Sequence, residues 1–293
     1  MMNMIVDILK EADANFTAEQ ALRINEKISS MLNYKPAVGV FGKTGVGKSS
    51  LCNALFGQDI CEVSDIDACT RSTQEMILGL DNGKGITLMD VPGVGENQER
   101  DDEYSELYQQ LLPKLDLVLW VLKADDRAYS VDIDFYLNVV KPHLQQGKPF
   151  IMVLNQVDKV EPFRDWDCAS RTPGLTQAKN IYQKVAGVAN NFSVKQSAVI
   201  PISADEKFGL SKLVDEIVFS LPDEQKVSVA KEVKEENLSN EARQEVKSSL
   251  SRVISRTVAG AVCGSEIGGR VAGKAGAVVG AVVGGIGGLL GLW

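Results

Sequence analysis

Cysteine, histidine and positive charge are all scarce in this 293-residue chain. The five cysteines (Cys52, Cys61, Cys69, Cys168 and Cys263) are odd in number, scattered and never spaced C-x-x-C. That pattern excludes a disulfide framework and a zinc knuckle, and a reducing cytosol is the expected home. The single histidine, His143, stands beside Pro142 with no serine or cysteine motif that would make it part of a triad, so it is read as structural. Lys and Arg number 31 against 39 Asp and Glu, a formal net charge of -8, which argues against a chain that coats nucleic acid through its overall field. The first twenty residues hold one basic residue, Lys10, and no long apolar run, a pattern unlike a secretory signal. What is plentiful is apolar residues, 44% of the chain, enough for a well-packed core.

Pattern divides the chain into four stretches. Residues 1–35 read as a helical N-terminal appendage: Thr17 and Gln20 form a capping box, and Ala21, Ile24, Ile28, Met31 and Leu32 recur along one helical face. Residues 36–221 alternate short apolar runs (37–41, 86–89, 115–122, 150–154 and 199–202) with amphipathic segments such as Leu210, Leu213, Val214, Ile217 and Val218. This alternation predicts an α/β domain with a mostly parallel sheet covered on both faces, with Trp120 in its core. Asp81-Asn82-Gly83-Lys84-Gly85 between two β-prone runs predicts a hairpin and hence one antiparallel edge strand. Residues 222–257 balance seven acidic against seven basic side chains and read as a charged helical connector, with Ala242, Val246, Leu250 and Val253 on one face. Residues 258–293 carry 12 of the 26 glycines, several four apart, the pattern of a helical glycine zipper that lets another helix approach closely. Its last nineteen residues are uncharged and would extend about 28 Å as a helix, so the tail allows either a docked hairpin or self-association, or contact with the inner face of a membrane.

The strongest chemical signal is Gly42-Lys43-Thr44-Gly45-Val46-Gly47-Lys48-Ser49, a complete G-x-x-x-x-G-K-S between a predicted strand and a predicted helix. Its glycines let successive amides point at phosphates, Lys48 neutralises the β and γ phosphates, and Ser49 holds magnesium. The expected phosphate contacts are Lys43, Thr44, Gly45, Val46, Gly47, Lys48, Ser49 and Ser50. Asp90-Val91-Pro92-Gly93 follows the next strand, placing Asp90 at the magnesium shell and the Gly93 amide at the γ phosphate. Asn155-Gln156-Val157-Asp158 follows a third strand. A carboxylate at Asp158 can accept from the N1-H and 2-amino group of guanine, a pair adenine does not offer, and a site built on such contacts rejects the wrong base by about 10⁴ to 10⁵. Asn155 joins Asp158 in base selection, and Ser203-Ala204 fits a backbone contact to guanine O6.

Across residues 36–221 the chain resembles the P-loop GTPases of the Era, TrmE and septin branch, and specifically Era-like bacterial GTPases of the large-ribosomal-subunit-binding GTPase domain family. The resemblance implies a P-loop NTPase G domain that binds GTP or GDP with Mg2+, hydrolyses GTP and meets ribosome or RNA. It also implies that a threonine before the hairpin closes over magnesium and the γ phosphate; Thr70 is the match, with Thr73 as rival, giving Lys48, Thr70 and Gly93 as catalytic residues and Ser49, Thr70 and Asp90 as metal ligands. The sequence departs from common GTPase patterns at three positions. Val94 replaces the water-orienting glutamine of Ras-like proteins, so turnover without a partner is expected at about 10⁻³ per second or below. Gly45 lacks the side-chain oxygen with which relatives hold potassium. Gln156 replaces the lysine of N-K-x-D. Three roles are therefore compatible with the chain: a slow GTP switch, a membrane-tethered or self-assembling GTPase, and a GTP-binding scaffold that never hydrolyses.

Overall fold

The computed structural model describes residues 18–34, 36–56, 76–80, 84–88, 112–126, 128–144, 147–262, 279–288 and 290–292. The chain divides into two compact units, Pro36–Ile217 and the pairing of Met1–Lys35 with Val218–Trp293.

In the first unit, apolar runs that periodicity marks as doubly covered become strands: β1 (Val38–Phe41), β2 (Met76–Leu80), β3 (Lys84–Leu88), β4 (Leu117–Lys123), β5 (Phe150–Asn155) and β6 (Val199–Pro201). They form one six-stranded sheet in the order β2-β3-β1-β4-β5-β6. Every pairing is parallel except β2 with β3, which run antiparallel with Leu80 opposite Lys84. Lys84 and Gly85 thus belong to the strand, and only residues 81–83 lie between β2 and β3. β1, β4 and β5 read as unbroken apolar runs because their residues are buried almost throughout, as a sheet covered on both faces requires.

Among the described residues, the α-helices that begin in this unit are α1 (Lys48–Phe56), α2 (Ser130–Phe135, continued by a π-helical turn Tyr136–Val140 and Lys141–His143), α3 (Leu175–Phe192) and α4 (Leu210–Ser220). Trp120 is 1% exposed and packs against Phe41, Phe135 and Tyr136, as core residues do. In a parallel sheet all strands present their carboxyl ends along one edge, where ligands are bound. The loops after β1, β4, β5 and β6 therefore meet.

In the second unit, α5 (Ala18–Leu32) packs with α6 (Asp223–Ala230) and α7 (Asn240–Val262). Ile24 and Ile28 of α5 and Ala242, Val246 and Leu250 of α7 are all fully buried. The segment expected to be a connector therefore has a core of its own, shared with the N-terminal helix. Ser228 Oγ donates to the Met31 carbonyl at 2.8 Å and Lys231 Nζ to the Leu32 carbonyl at 2.6 Å. These donors add to the Tyr34 amide on the Met31 carbonyl and supply a donor to Leu32 at the end of α5. α7 runs past the expected boundary at residue 257.

A last helix covers 279–288, and its buried side chains are Val279, Val282, Val283 and Ile286. A Cβ placed on Gly280, Gly284 or Gly288 meets nothing within 4 Å. The close helix approach expected at these glycines is absent among the described residues, because the valine face carries the apolar area. No helix among the described residues is long and apolar enough to cross a membrane.

Candidate functional site

The loop between β1 and α1 is shaped by three glycines in positive-φ conformations that side chains rarely adopt, Gly42, Gly45 (φ 80°) and Gly47. Gly42 (φ 146°) lies against the Val121 carbonyl of β4, where a Cβ would collide. Gly47 (φ 89°) leaves no room either, since a Cβ there would stand 2.5 Å from Asn155 Nδ2. Lys48 turns back across the loop, its Nζ donating to the carbonyls of Gly42 at 2.7 Å and Lys43 at 3.0 Å. The cation is thereby held over the turn whose amides are expected to face phosphate. Ser49 follows at the second position of α1, a hydroxyl oxygen of the hard-donor kind magnesium takes. Of the other expected site residues, Thr44 and Gly45 are exposed and Val46 is buried beneath the loop. Ser50 is exposed on α1. Thr70, Thr73, Asp90, Gly93 and Val94 lie outside the described residues.

The end of β5 ties the loop down. Asn155, 1% exposed, donates through Nδ2 to the Val46 carbonyl at 2.8 Å and accepts at Oδ1 from the Ala204 amide at 3.0 Å. Both polar ends of Asn155 are thus spent on the protein, one on the phosphate loop and one on the loop after β6. The Ala204 amide, expected at guanine O6, is engaged by Asn155. Ser203 shapes the same loop: its amide donates to the Phe208 carbonyl at 3.1 Å, and its Oγ accepts from the Glu206 amide at 3.2 Å.

Gln156 adopts a left-handed backbone (φ 63°), a conformation that costs a non-glycine residue about 1–3 kcal/mol and persists where neighbours enforce it. Its Nε2 donates to the Gly45 carbonyl at 3.1 Å and its Oε1 accepts from Lys159 Nζ at 2.9 Å. The amide thus anchors the phosphate loop, and the cation missing from the motif reappears three residues later.

Asp158 is the remaining residue expected to read the base. Its Oδ1 is buried and accepts no hydrogen bond from the protein. A desolvated carboxylate oxygen without a donor costs about 1–3 kcal/mol or more, and the N1-H and 2-amino group of guanine are donors of the right kind to relieve it.

Three features escaped the sequence reading. Lys43 forms an ion pair with Asp132 of α2 at 2.6 Å, and Asp132 is 4% exposed. Burial pushes the Asp132 carboxyl above its ordinary range, against the hydrogen bond from Lys43. Beside it the Tyr129 hydroxyl donates to the Lys123 carbonyl at 2.7 Å. Burial, with Asp126, Asp125 and Asp132 nearby, raises the phenol so far that it remains a donor. The third is Gln177, fully buried on α3. A lone acid or glutamine inside an amphipathic helix carries no sequence signal.

The chain has matches among known proteins. The sequence profile of the family described as 50S ribosome-binding GTPase matches residues 37–156. A protein of Escherichia coli K12, the uncharacterised protein YkfA, is 43% identical over 202 residues, covering 69% of this chain and 68% of that one. The chain belongs to this GTPase family. The E. coli protein YfjP is 39% identical over the same shares. GTPase Era of Aquifex aeolicus is 28% identical over 189 residues, 64% of this chain, and the match spans only 56% of Era. The solved structure of an Era variant from the same organism bound to GDP and aluminium fluoride shares 27% identity, covers 64% of this chain and 56% of its own, and has a TM-score of 0.44. In this GTPase the resemblance noted from the motifs and the family assignment agree.

Proposed function

We propose that this GTPase is a magnesium-dependent molecular switch that converts GTP to GDP and phosphate slowly when alone. The observation that carries the reading is the buried Asp158 oxygen with no donor, in the turn just past β5, where Asn155 and Gln156 hold the phosphate loop. Lys48 and the loop amides bind phosphate, Ser49 with Thr70 and Asp90 holds magnesium, and Asp158 selects guanine. Magnesium would supply charge neutralisation at the β and γ phosphates. Thr70 and the segment after Gly93 would order around the γ phosphate and relax after hydrolysis. Val94 offers no hydrogen bond to an attacking water, which supports slow turnover. The family description supports ribosome or RNA as the partner that reads the switch. The test is single-turnover hydrolysis by the full chain: about 10⁻³ per second or slower is expected, and rapid hydrolysis without a partner would contradict the reading.

A second reading, self-association or membrane contact through the tail, is supported by the open glycine strip at Gly280, Gly284 and Gly288. Deleting residues 258–293 should then abolish sedimentation with vesicles or with itself. A distribution independent of the tail removes this reading.

A further inference from the structure

Gln177 is the third residue of α3 and is fully buried, at 0% exposure. Its Nε2 donates to two carbonyls of the base-reading loop, those of Asp158 and Val160, both at 2.9 Å. Its Oε1 accepts no hydrogen bond. A primary amide is costly to bury, and leucine would fill a similar volume without that cost. The amide's work here is done by its donors, which hold the backbone on the carboxyl side of Asp158.

The amino side is held separately. The Val157 amide donates to the Ile202 carbonyl at 3.1 Å, and a tight turn carries Lys159 N to Gln156 O and Val160 N to Val157 O, both at 3.1 Å. Asp158 is therefore fixed from both directions, with only its side-chain torsions free. This matters because the carboxylate oxygen is desolvated and without a partner, so a slack backbone would let it swing toward water. A carboxylate that has swung out no longer presents two oxygens in the plane of a purine edge.

We infer that Gln177 is a positioning residue for guanine specificity, fixing the backbone from which Asp158 reaches the 2-amino group. The inference rests on the guanine-reading role of Asp158 proposed above. Gln177 touches no nucleotide; it acts through Asp158.

The test is calorimetric titration of the nucleotide-free full chain with GDP, IDP and ADP. IDP keeps the N1-H and lacks the 2-amino group, so the GDP to IDP affinity ratio reads the second contact of the carboxylate. A hydrogen bond to a charged group corresponds to about 10- to 100-fold, the preference expected of the native chain. Gln177→Leu should reduce it to within about threefold, chiefly by weakening GDP. Gln177→Met, close to the same shape, should do likewise and serves if the leucine variant does not fold. In an Asp158→Ala background, adding Gln177→Leu should change the ratio no further, an effect that a merely structural glutamine would not reproduce. A folded Gln177 variant with the native GDP to IDP ratio overturns the inference and leaves the reading of Asp158 standing. A native chain that binds ADP as tightly as GDP overturns that reading itself.

Discussion

Asn155→Ala removes one side chain and two tethers. The residue is 1% exposed, with its donor on the Val46 carbonyl at 2.8 Å and its acceptor on the Ala204 amide at 3.0 Å. Truncation leaves two buried backbone groups without partners, each costing about 1–3 kcal/mol. Water can reach the site past half-buried Gly47, so the lower half of the combined range applies, about 3 kcal/mol. For a domain of this size that corresponds to a melting temperature lower by about 6–12 °C. The assay is urea unfolding followed by tryptophan fluorescence, since buried Trp120 reports on this unit's core. GDP affinity should fall in the same variant, because Val46 is the residue through which Asn155 shapes the phosphate loop. Asn155→Asp keeps the acceptor for Ala204 and turns an oxygen toward the Val46 carbonyl, so it should be no better. A stability loss below about 0.5 kcal/mol with native GDP affinity would refute the reasoning.

Other outcomes follow from the same geometry. Asp158→Asn replaces one acceptor with an amide donor, so affinity should pass from GDP to xanthosine diphosphate, whose 2-oxo group accepts; competition between the two nucleotides reads it. Burial raises the Asp132 pKa in the folded state, so the fold prefers the protonated acid. Stability of that unit should fall as pH rises from the ordinary carboxylate range through the raised value, a slope missing from Asp132→Asn in urea titrations at several pH values. In the helical unit Asp223 is held below its ordinary pKa by the hydrogen bond from Arg252, and Glu245 by those from Lys226 and Arg252. Their contribution is present above the ordinary values of 3.8 and 4.5 and is lost as pH falls. Arg252→Ala should therefore be less stable than the native chain near neutrality and converge with it in acid, as read by helical circular dichroism.

What could be read from the sequence was whatever repeats locally. Apolar runs covered on both faces and a glycine-rich turn fixed in register after one of them marked the sheet and the phosphate loop. Ile24, Ile28, Val246 and Leu250 also showed their inward faces. What these helices pack against was not visible, because α5 meets α6 and α7 from about two hundred residues away and no local period encodes a partner. The base site divides in the same way. The role proposed for Asp158 comes from the donor pattern of guanine, whereas the tethering roles of Asn155 and Gln156 depend on carbonyls of a loop more than a hundred residues earlier. Gln177 and Asp132 were invisible for that reason: each acts on a backbone or charge that only the fold brings near.

The central claim is that the Asp158 carboxylate, one oxygen of which is buried without a donor, chooses the purine. Titration of the nucleotide-free chain with GDP and ADP in parallel tests it most directly. The account predicts GDP bound tighter than ADP by about 10⁴ or more. Equal affinities, or no binding of either, would contradict it.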